Sequence, residues 1–261
     1  MDLMWKYPAF ITIKLEFVCR KALQGLHNML YSNIYEGIFI ERPNRFIAKV
    51  LINGEPVVCH VKNTGRCREL LVPGAKVLLE KSANPQRKTA FDLVKVYKGG
   101  RLVNMDSNAP NTVFGEFLRA AGLGFMPELI KPEYKHGDSR FDFYFEHDGI
   151  KAFAEVKGVT LEANNIARFP DAPTERGIKH LRGLIECVKQ GFDAYAVFVI
   201  QMRHIAGFEP AWDKHREFGL ALCEAADAGV KVLAFDCDVT RDGLSIAESV
   251  PVNLSKKPQT L

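Results

Sequence analysis

Three residues on two neighbouring segments carry the chemistry this sequence offers: Asp142, Glu155 and Lys157. Side chains alternate across a strand, so Glu155 and Lys157, two apart in Lys151-Ala-Phe-Ala-Glu-Val-Lys, project from one face. Asp142 lies in Arg140-Phe-Asp-Phe-Tyr-Phe-Glu, the preceding strand of an expected hairpin, where cross-strand neighbours meet. Two carboxylates and a lysine then converge. Carboxylate oxygens are hard ligands suited to Mg2+ or Mn2+, and Mg2+ keeps several waters and takes few protein groups. The Val156 carbonyl is the expected third oxygen. A metal held there activates water and neutralises charge on a phosphodiester, while Lys157 orients the water or the phosphate. A surface ion pair is the ordinary reading of Glu and Lys at this spacing. Against it, both charges interrupt an otherwise apolar strand, where unpaired charge is costly. Downstream, Arg176, Lys179, His180 and Arg182 fall on the polar side of an expected helix and are candidate phosphate contacts.

Several elements must position these groups. His147-Asp148-Gly149 is a hairpin turn between the two strands. A helix over 112–121, stopped by Gly122, precedes them. A helix over 174–190 follows, with Ile178, Leu181, Ile185 and Val188 on one face and Gly191 beyond its end. Then come a buried strand over 194–200, a helix over 213–228 and a buried strand over 230–235. This α-β-β-α-β-α-β order predicts a mixed sheet flanked by helices. Phe141, Phe143 and Phe145 are read as core on the face away from Asp142.

The first half has a different rhythm. Short strands over 46–52, 57–61, 76–80 and 91–97 are punctuated by Asn53-Gly54, Pro73-Gly74 and Asn84-Pro85. About five short strands in this span fit a small Greek-key barrel such as an OB-fold. Gly99-Gly100 and the polar stretch 104–111 read as a linker. The expected organisation is an α/β chain of two domains: an extension over 1–30, a barrel over 31–107, the mixed-sheet domain over 108–250 and a tail over 251–261. Residues 1–28 lack a convincing pattern and are expected to be dispensable.

Charge is unevenly spread. Residues 1–110 hold 17 Lys and Arg against 9 Asp and Glu, whereas 111–261 hold 18 against 22. A basic module beside a carboxylate-bearing one suits an anionic polymer. Within the barrel, Arg42, Arg45, Lys62, Arg66 and Arg68 are the candidate phosphate contacts, and His60 is read as a satisfied core histidine. Six scattered cysteines without a CxxC pair argue against structural zinc and a disulfide framework and for a cytoplasmic protein. No apolar run reaches bilayer length, so no membrane partner is expected.

Longer motifs bring a resemblance into view. Ser139-Arg-Phe-Asp-Phe, Glu155-Val-Lys-Gly-Val-Thr-Leu and Phe169-Pro-Asp-Ala-Pro-Thr-Glu-Arg-Gly-Ile-Lys-His-Leu-Arg resemble the sugar fermentation stimulation protein A family. Glu41-Arg-Pro-Asn-Arg-Phe, Asn63-Thr-Gly-Arg and Arg87-Lys-Thr are similar to its N-terminal signatures. The resemblance spans roughly 33–250 and implies an OB-like barrel followed by a restriction-endonuclease-like PD-(D/E)xK domain in a DNA-binding protein. It places Asp142, Glu155 and Lys157 at the acidic, acidic and lysine positions of that motif, and Glu116 at an extra acidic position on the first helix. Lys62 and Cys67 depart from the proline and methionine usual around Asn-Thr-Gly-Arg. The expected function is a DNA-binding, Mg2+-dependent nuclease. A non-catalytic DNA-binding regulator of sugar metabolism genes is the alternative, and RNA stays open as a substrate.

Overall fold

The computed structural model describes residues 29–63 and 65–255, so the extension 1–28 lies outside the described residues. Alternation builds the barrel from β2 (Ile34–Asn44), β3 (Ile47–Ile52), β4 (Glu55–Val61), β5 (Lys76–Lys81) and β6 (Phe91–Lys98). Phe39, Val50, Cys59, Val77, Leu79, Leu93 and Val96 turn inward and are buried. Asn53 and Gly54 both take positive φ, 52° and 85°, as the tight β3–β4 hairpin requires. Antiparallel pairings run β4-β3-β2-β5-β6, and a short parallel contact, His60 with Asp92 and Val61 with Leu93, closes the ring. β2 carries two register shifts, which give the bend that closure demands. His60 is half-buried and bonds Asp92 at 2.9 Å, so it is satisfied at the barrel wall and not in its core.

The second half is a seven-stranded sheet in the order β1 (Met29–Leu30), β16 (Gly243–Ser249), β15 (Lys231–Val239), β13 (Asp193–Ile200), β10 (Ile150–Val159), β9 (Ser139–His147) and β8 (Leu129–His136). β10, β13 and β15 are mutually parallel and the outer pairs antiparallel. Helix α1 (Ala109–Arg119) covers one face with Val113, Phe114 and Leu118. Helix α2 (Glu175–Lys189) buries Ile178, Leu181 and Ile185 on the other, beside α3 (Arg216–Asp227). Thr174 caps α2 by accepting the Gly177 N–H. A small sheet of β11 (Leu161–Ala163), β12 (Ile166–Phe169) and β14 (Gly207–Pro210) lies beyond the end of β10. Among the described residues, no helix is long and apolar enough to cross a membrane.

Several expectations needed correction. Gly99-Gly100 is no linker: it turns β6 into β7 (Arg101–Asn104). The polar stretch after it is not a linker either: Asn104 and Asp106 are fully shielded in a seam, Ser107 and Asn108 are exposed, and 109–111 open α1. The hydrogen-bonding capacity of Asn104 and Asp106, which read as loop, is spent on Tyr31, Lys62 and each other. Helix α1 stops with Ala121 at positive φ, and Gly122 is needed because a Cβ there would fall 2.4 Å from the Phe117 ring. Strand β8 escaped sequence reading because Lys131, Glu133 and Lys135 break its apolar pattern on a sheet edge. Met29 and Leu30, the end of the expected extension, pair with β16.

The barrel core and the α2 side of the sheet form one continuous apolar cluster. Lys95 of β6 ties the same junction from inside. Fully buried, its ammonium donates to the carbonyls of Thr240, Arg241 and Gly243 at 3.0–3.1 Å and lies 4.4 Å above the Tyr31 ring. Burial lowers its pKa from 10.5 to about 8, against the opposing pull of Asp242 and Glu80. The unfolded chain therefore holds this proton up to its ordinary pKa, while the folded chain releases it from about 8. Stability from this group rises with pH across that window. Compared with Lys95→Met, the native chain should gain up to about 3 kcal/mol between these two pKa values. Denaturant melts of both proteins at stepped pH measure it, and a pH-independent difference would contradict the assignment.

Candidate active site

The β9–β10 hairpin turns on Asp148 and Gly149, at φ 48° and 76°, and pairs residue by residue until Phe143 meets Ala154. There the ladder ends. Asp142 is next, and its Oδ2 accepts the Val156 N–H at 2.7 Å while Oδ1 accepts from Asn111 Nδ2 of α1 at 2.8 Å. A side-chain carboxylate thus takes the place of a strand-to-strand bond. The N–H and C=O of one residue in a strand point to the same edge, so the Val156 carbonyl faces this gap as well. The departure also splits the phenylalanines: Phe143 and Phe145 pack on the α1 side, but Phe141 joins the opposite cluster with Phe153. All three are buried core, though not on a single face.

Glu155 and Lys157 share a face of β10, as their spacing requires, and it is the face covered by α2. Glu155 is 3% exposed. Its Oε1 accepts from both Lys157 Nζ and His180 Nδ1. Its Oε2 is buried without a hydrogen-bond partner. His180 in turn accepts from Arg176 Nε at 3.3 Å, which leaves Nδ1 as the protonated, donating nitrogen. Burial works against the Glu155 charge, but His180 and Lys157 outweigh it and hold the carboxyl below the usual range. Asp142 goes the other way: burial, then the neighbouring charge of Glu155, raises its pKa despite Val156, Lys157 and Asn111. Glu155 therefore lies near enough to Asp142 for its charge to add to the effect of burial.

Glu116 of α1 shares a cavity of about 380 Å³ with Asp142, Asn111 and Arg119, and its Oε2 accepts the Met29 N–H at 3.1 Å. Gly115 lets α1 approach this closely, since a Cβ there would stand 3.2 Å from the Phe143 ring. Among the described residues no three His, Cys, Asp or Glu side chains converge to hold a metal by themselves. The donor set is two carboxylates and a main-chain oxygen, with an unpartnered buried oxygen on Glu155. That set fits a hard divalent ion that keeps several waters.

The expected phosphate contacts divide. Arg176, Lys179 and Arg182 are exposed on α2. His180 is not among them: it is buried against Glu155, because its position on α2 faces β10. Arg45, Arg66 and Arg68 are exposed and line an open groove of about 610 Å³ on the barrel, with Arg45 4.8 Å from the Phe46 ring centroid. Arg42 lines it too, but its guanidinium donates to the carbonyls of Arg45, Asn63, Gly65 and Arg66 at 2.6–2.9 Å. It staples the loop and has no donor pair to offer a phosphate. Lys62 is likewise spent, on buried Asp106 at 2.7 Å. Asn111 was missed altogether. An asparagine just inside a helix that begins Ala109-Pro110 carries no signal of the strand carboxylate it serves.

With this geometry in place, the comparisons are direct. Residues 108–243 match the Sugar fermentation stimulation protein RE domain, and 40–105 match the SfsA N-terminal OB domain. A sugar fermentation stimulation protein homolog of Clostridium beijerinckii is 55% identical over 226 residues, 87% of this chain and all of that protein. Another, from Desulfitobacterium hafniense, is 54% identical over 228 residues, covering 87% and 99%. Among solved structures, SfsA of Pyrococcus furiosus in complex with Ca2+ superposes with a TM-score of 0.77 at 25% identity, over 87% of this chain and 99% of that one. The chain belongs to the sugar fermentation stimulation protein family.

Proposed function

We propose that this chain is a DNA-binding protein with a divalent-metal-dependent, phosphodiester-cleaving site built on Asp142, Glu155 and Lys157. The observation that carries the reading is the buried, unpartnered Oε2 of Glu155 beside a second carboxylate whose pKa it raises. A buried carboxylate oxygen left without a hydrogen bond is costly even when its partner oxygen is paired, and a cation beside it repays the cost. The Pyrococcus relative was solved with Ca2+, an ion of the same hard, oxygen-seeking class as Mg2+. Asp142, Glu155 and the Val156 carbonyl would hold the ion, with Glu116 nearby across the cavity. When bound, such an ion supplies water activation and charge neutralisation on the phosphodiester.

The remaining work falls to this chain's own groups. Asn111 fixes the Asp142 rotamer, and His180, backed by Arg176, fixes that of Glu155. Lys157 is anchored to Glu155 yet partly open to solvent, where its ammonium orients the attacking water or a phosphoryl oxygen. Arg176, Lys179 and Arg182 extend the positive surface on α2, and the barrel groove offers Arg45, Arg66 and Arg68 to more distant phosphates.

A second reading has one observation behind it: the curated relatives carry the name of a sugar fermentation function, which suits a binding regulator that keeps the fold. The same assay separates the two. Labelled single- and double-stranded DNA, and RNA, incubated with Mg2+ or Mn2+ should be cut by the native chain. Glu155→Gln keeps the shape and removes the charge, so cleavage should fall about a thousandfold while nucleic-acid affinity holds. Lys157→Ala should lose turnover more than metal affinity. No cleavage of any substrate by the native chain would leave the binding regulator.

Salt dependence tests the groove. Each phosphate neutralised on duplex DNA adds about 0.9 to the slope of log affinity against log salt. Replacing Arg66 and Arg68 together with Ala should flatten that slope by roughly one to two. An unchanged slope would return both residues to plain solvated surface.

A further inference from the structure

A second cavity, of about 260 Å³, opens where the barrel meets the end of the central sheet. Asn63 and Ser107 line one side, and Gly158, Thr160, Asp171 and Gln201 the other, with the Phe169 ring as a wall. Val159 and Ile200 are paired in the parallel ladder, so Thr160 and Gln201 are the first residues past the carboxyl ends of β10 and β13. Ligands in open α/β sheets favour that edge. Gln201 is 1% exposed, and its Oε1 has no hydrogen-bond partner. Nothing in the fold uses that acceptor, and an unpaired buried amide is costly.

Two glycines keep the cavity open. A Cβ at Gly158 would lie 2.7 Å from Pro110 and 3.2 Å from Gln201 Nε2, and one at Gly65 would lie 2.8 Å from Asp171 Oδ2. Phe169 is held by edge and tilted contacts to Phe218 and Phe198 at 5.2 and 5.6 Å, so its ring is a rigid surface. The chemistry of the lining is selective. Arg168 lines the cavity too, but its guanidinium is engaged by Glu209 at 2.7–2.8 Å, so the acceptors Asp171 and Gln201 Oε1 set the preference, which is for N–H donors. The aromatic wall asks for something flat. Lys157 adjoins Gly158 of the lining and lies three residues back from Thr160, about 10 Å along the strand.

We infer that the seam cavity takes one unstacked nucleobase, carrying an exocyclic amine, from the strand lying across Lys157. This rests on the nucleic-acid-binding reading above and adds to it a base-selective site next to the reacting phosphate. Proteins that act on or read single nucleotides meet this requirement with snug, aromatic-walled pockets of this kind. Asp171 and Gln201 are the selecting residues.

Oligonucleotides carrying 2-aminopurine at successive positions test it, with anisotropy reporting binding of the same strands to the full chain. One position should brighten several-fold over the others as its base leaves the stack. Thymine there should weaken binding about tenfold, the worth of one lost hydrogen-bonded anchor. Gln201→Leu should erase both effects. Asp171→Ala, at a half-buried position, provides the same test should the first variant melt early. Tight binding with a flat fluorescence profile, or an unchanged profile in both variants, overturns the pocket and leaves nucleic-acid binding standing. No binding by anisotropy overturns both.

Discussion

The arrangement hangs on one hydrogen bond, from the Val156 N–H to the Asp142 carboxylate. A strand pair normally continues until a turn or bulge stops it. Here β9 abandons β10 at Phe143 and Ala154, and a side chain fills the vacated ladder position. That substitution parts β9 from β10, admits the Val156 carbonyl to the gap and brings Asp142 within electrostatic reach of Glu155. It also sends Phe141 to the opposite core, so both faces of the sheet brace the break. Asn111 secures the second oxygen from α1. Without this bond Asp142 would be an ordinary strand residue next to an apolar core.

Around that break the charges are set in opposition. Glu155 is buried and kept ionised by Lys157 and His180, while Asp142 is pushed toward its neutral form by burial and by Glu155. Two carboxylates so placed share one lysine and one histidine, and Glu155 Oε2 still lacks a hydrogen-bond partner. Sites tuned for function concentrate such perturbations. The barrel is fastened to the sheet by a shared core and by Lys95 beneath the β15–β16 turn. The basic groove and the carboxylate pair are therefore carried on one packed body.

The core of this site was legible in the sequence because its signals are local. The two-residue spacing of Glu155 and Lys157 and the Asp148-Gly149 turn depend only on strand and turn geometry. What stayed hidden depends on partners far along the chain. Arg42 and Lys62 look like free cations until the loop carbonyls and Asp106 fold against them. His180 sits among exposed basic residues in the sequence, yet its helical phase turns it inward onto Glu155. The parallel closure of the barrel and the role of Asn111 share this cause, whereas β8 was hidden locally by the charges that break its apolar pattern. The five-stranded barrel and the mixed sheet were readable as classes, whereas the seam between them was taken for a linker because its polar residues are satisfied only in the folded state.

Divalent-ion binding tests the two-carboxylate site most directly. Mn2+ uptake, followed by the loss of its free-ion electron paramagnetic resonance signal, should show one ion bound per native chain. The double variant Asp142→Asn, Glu155→Gln keeps every side-chain outline and should leave the ion free in solution under the same conditions. Equal uptake by the two proteins, or none by the native chain, would contradict the account.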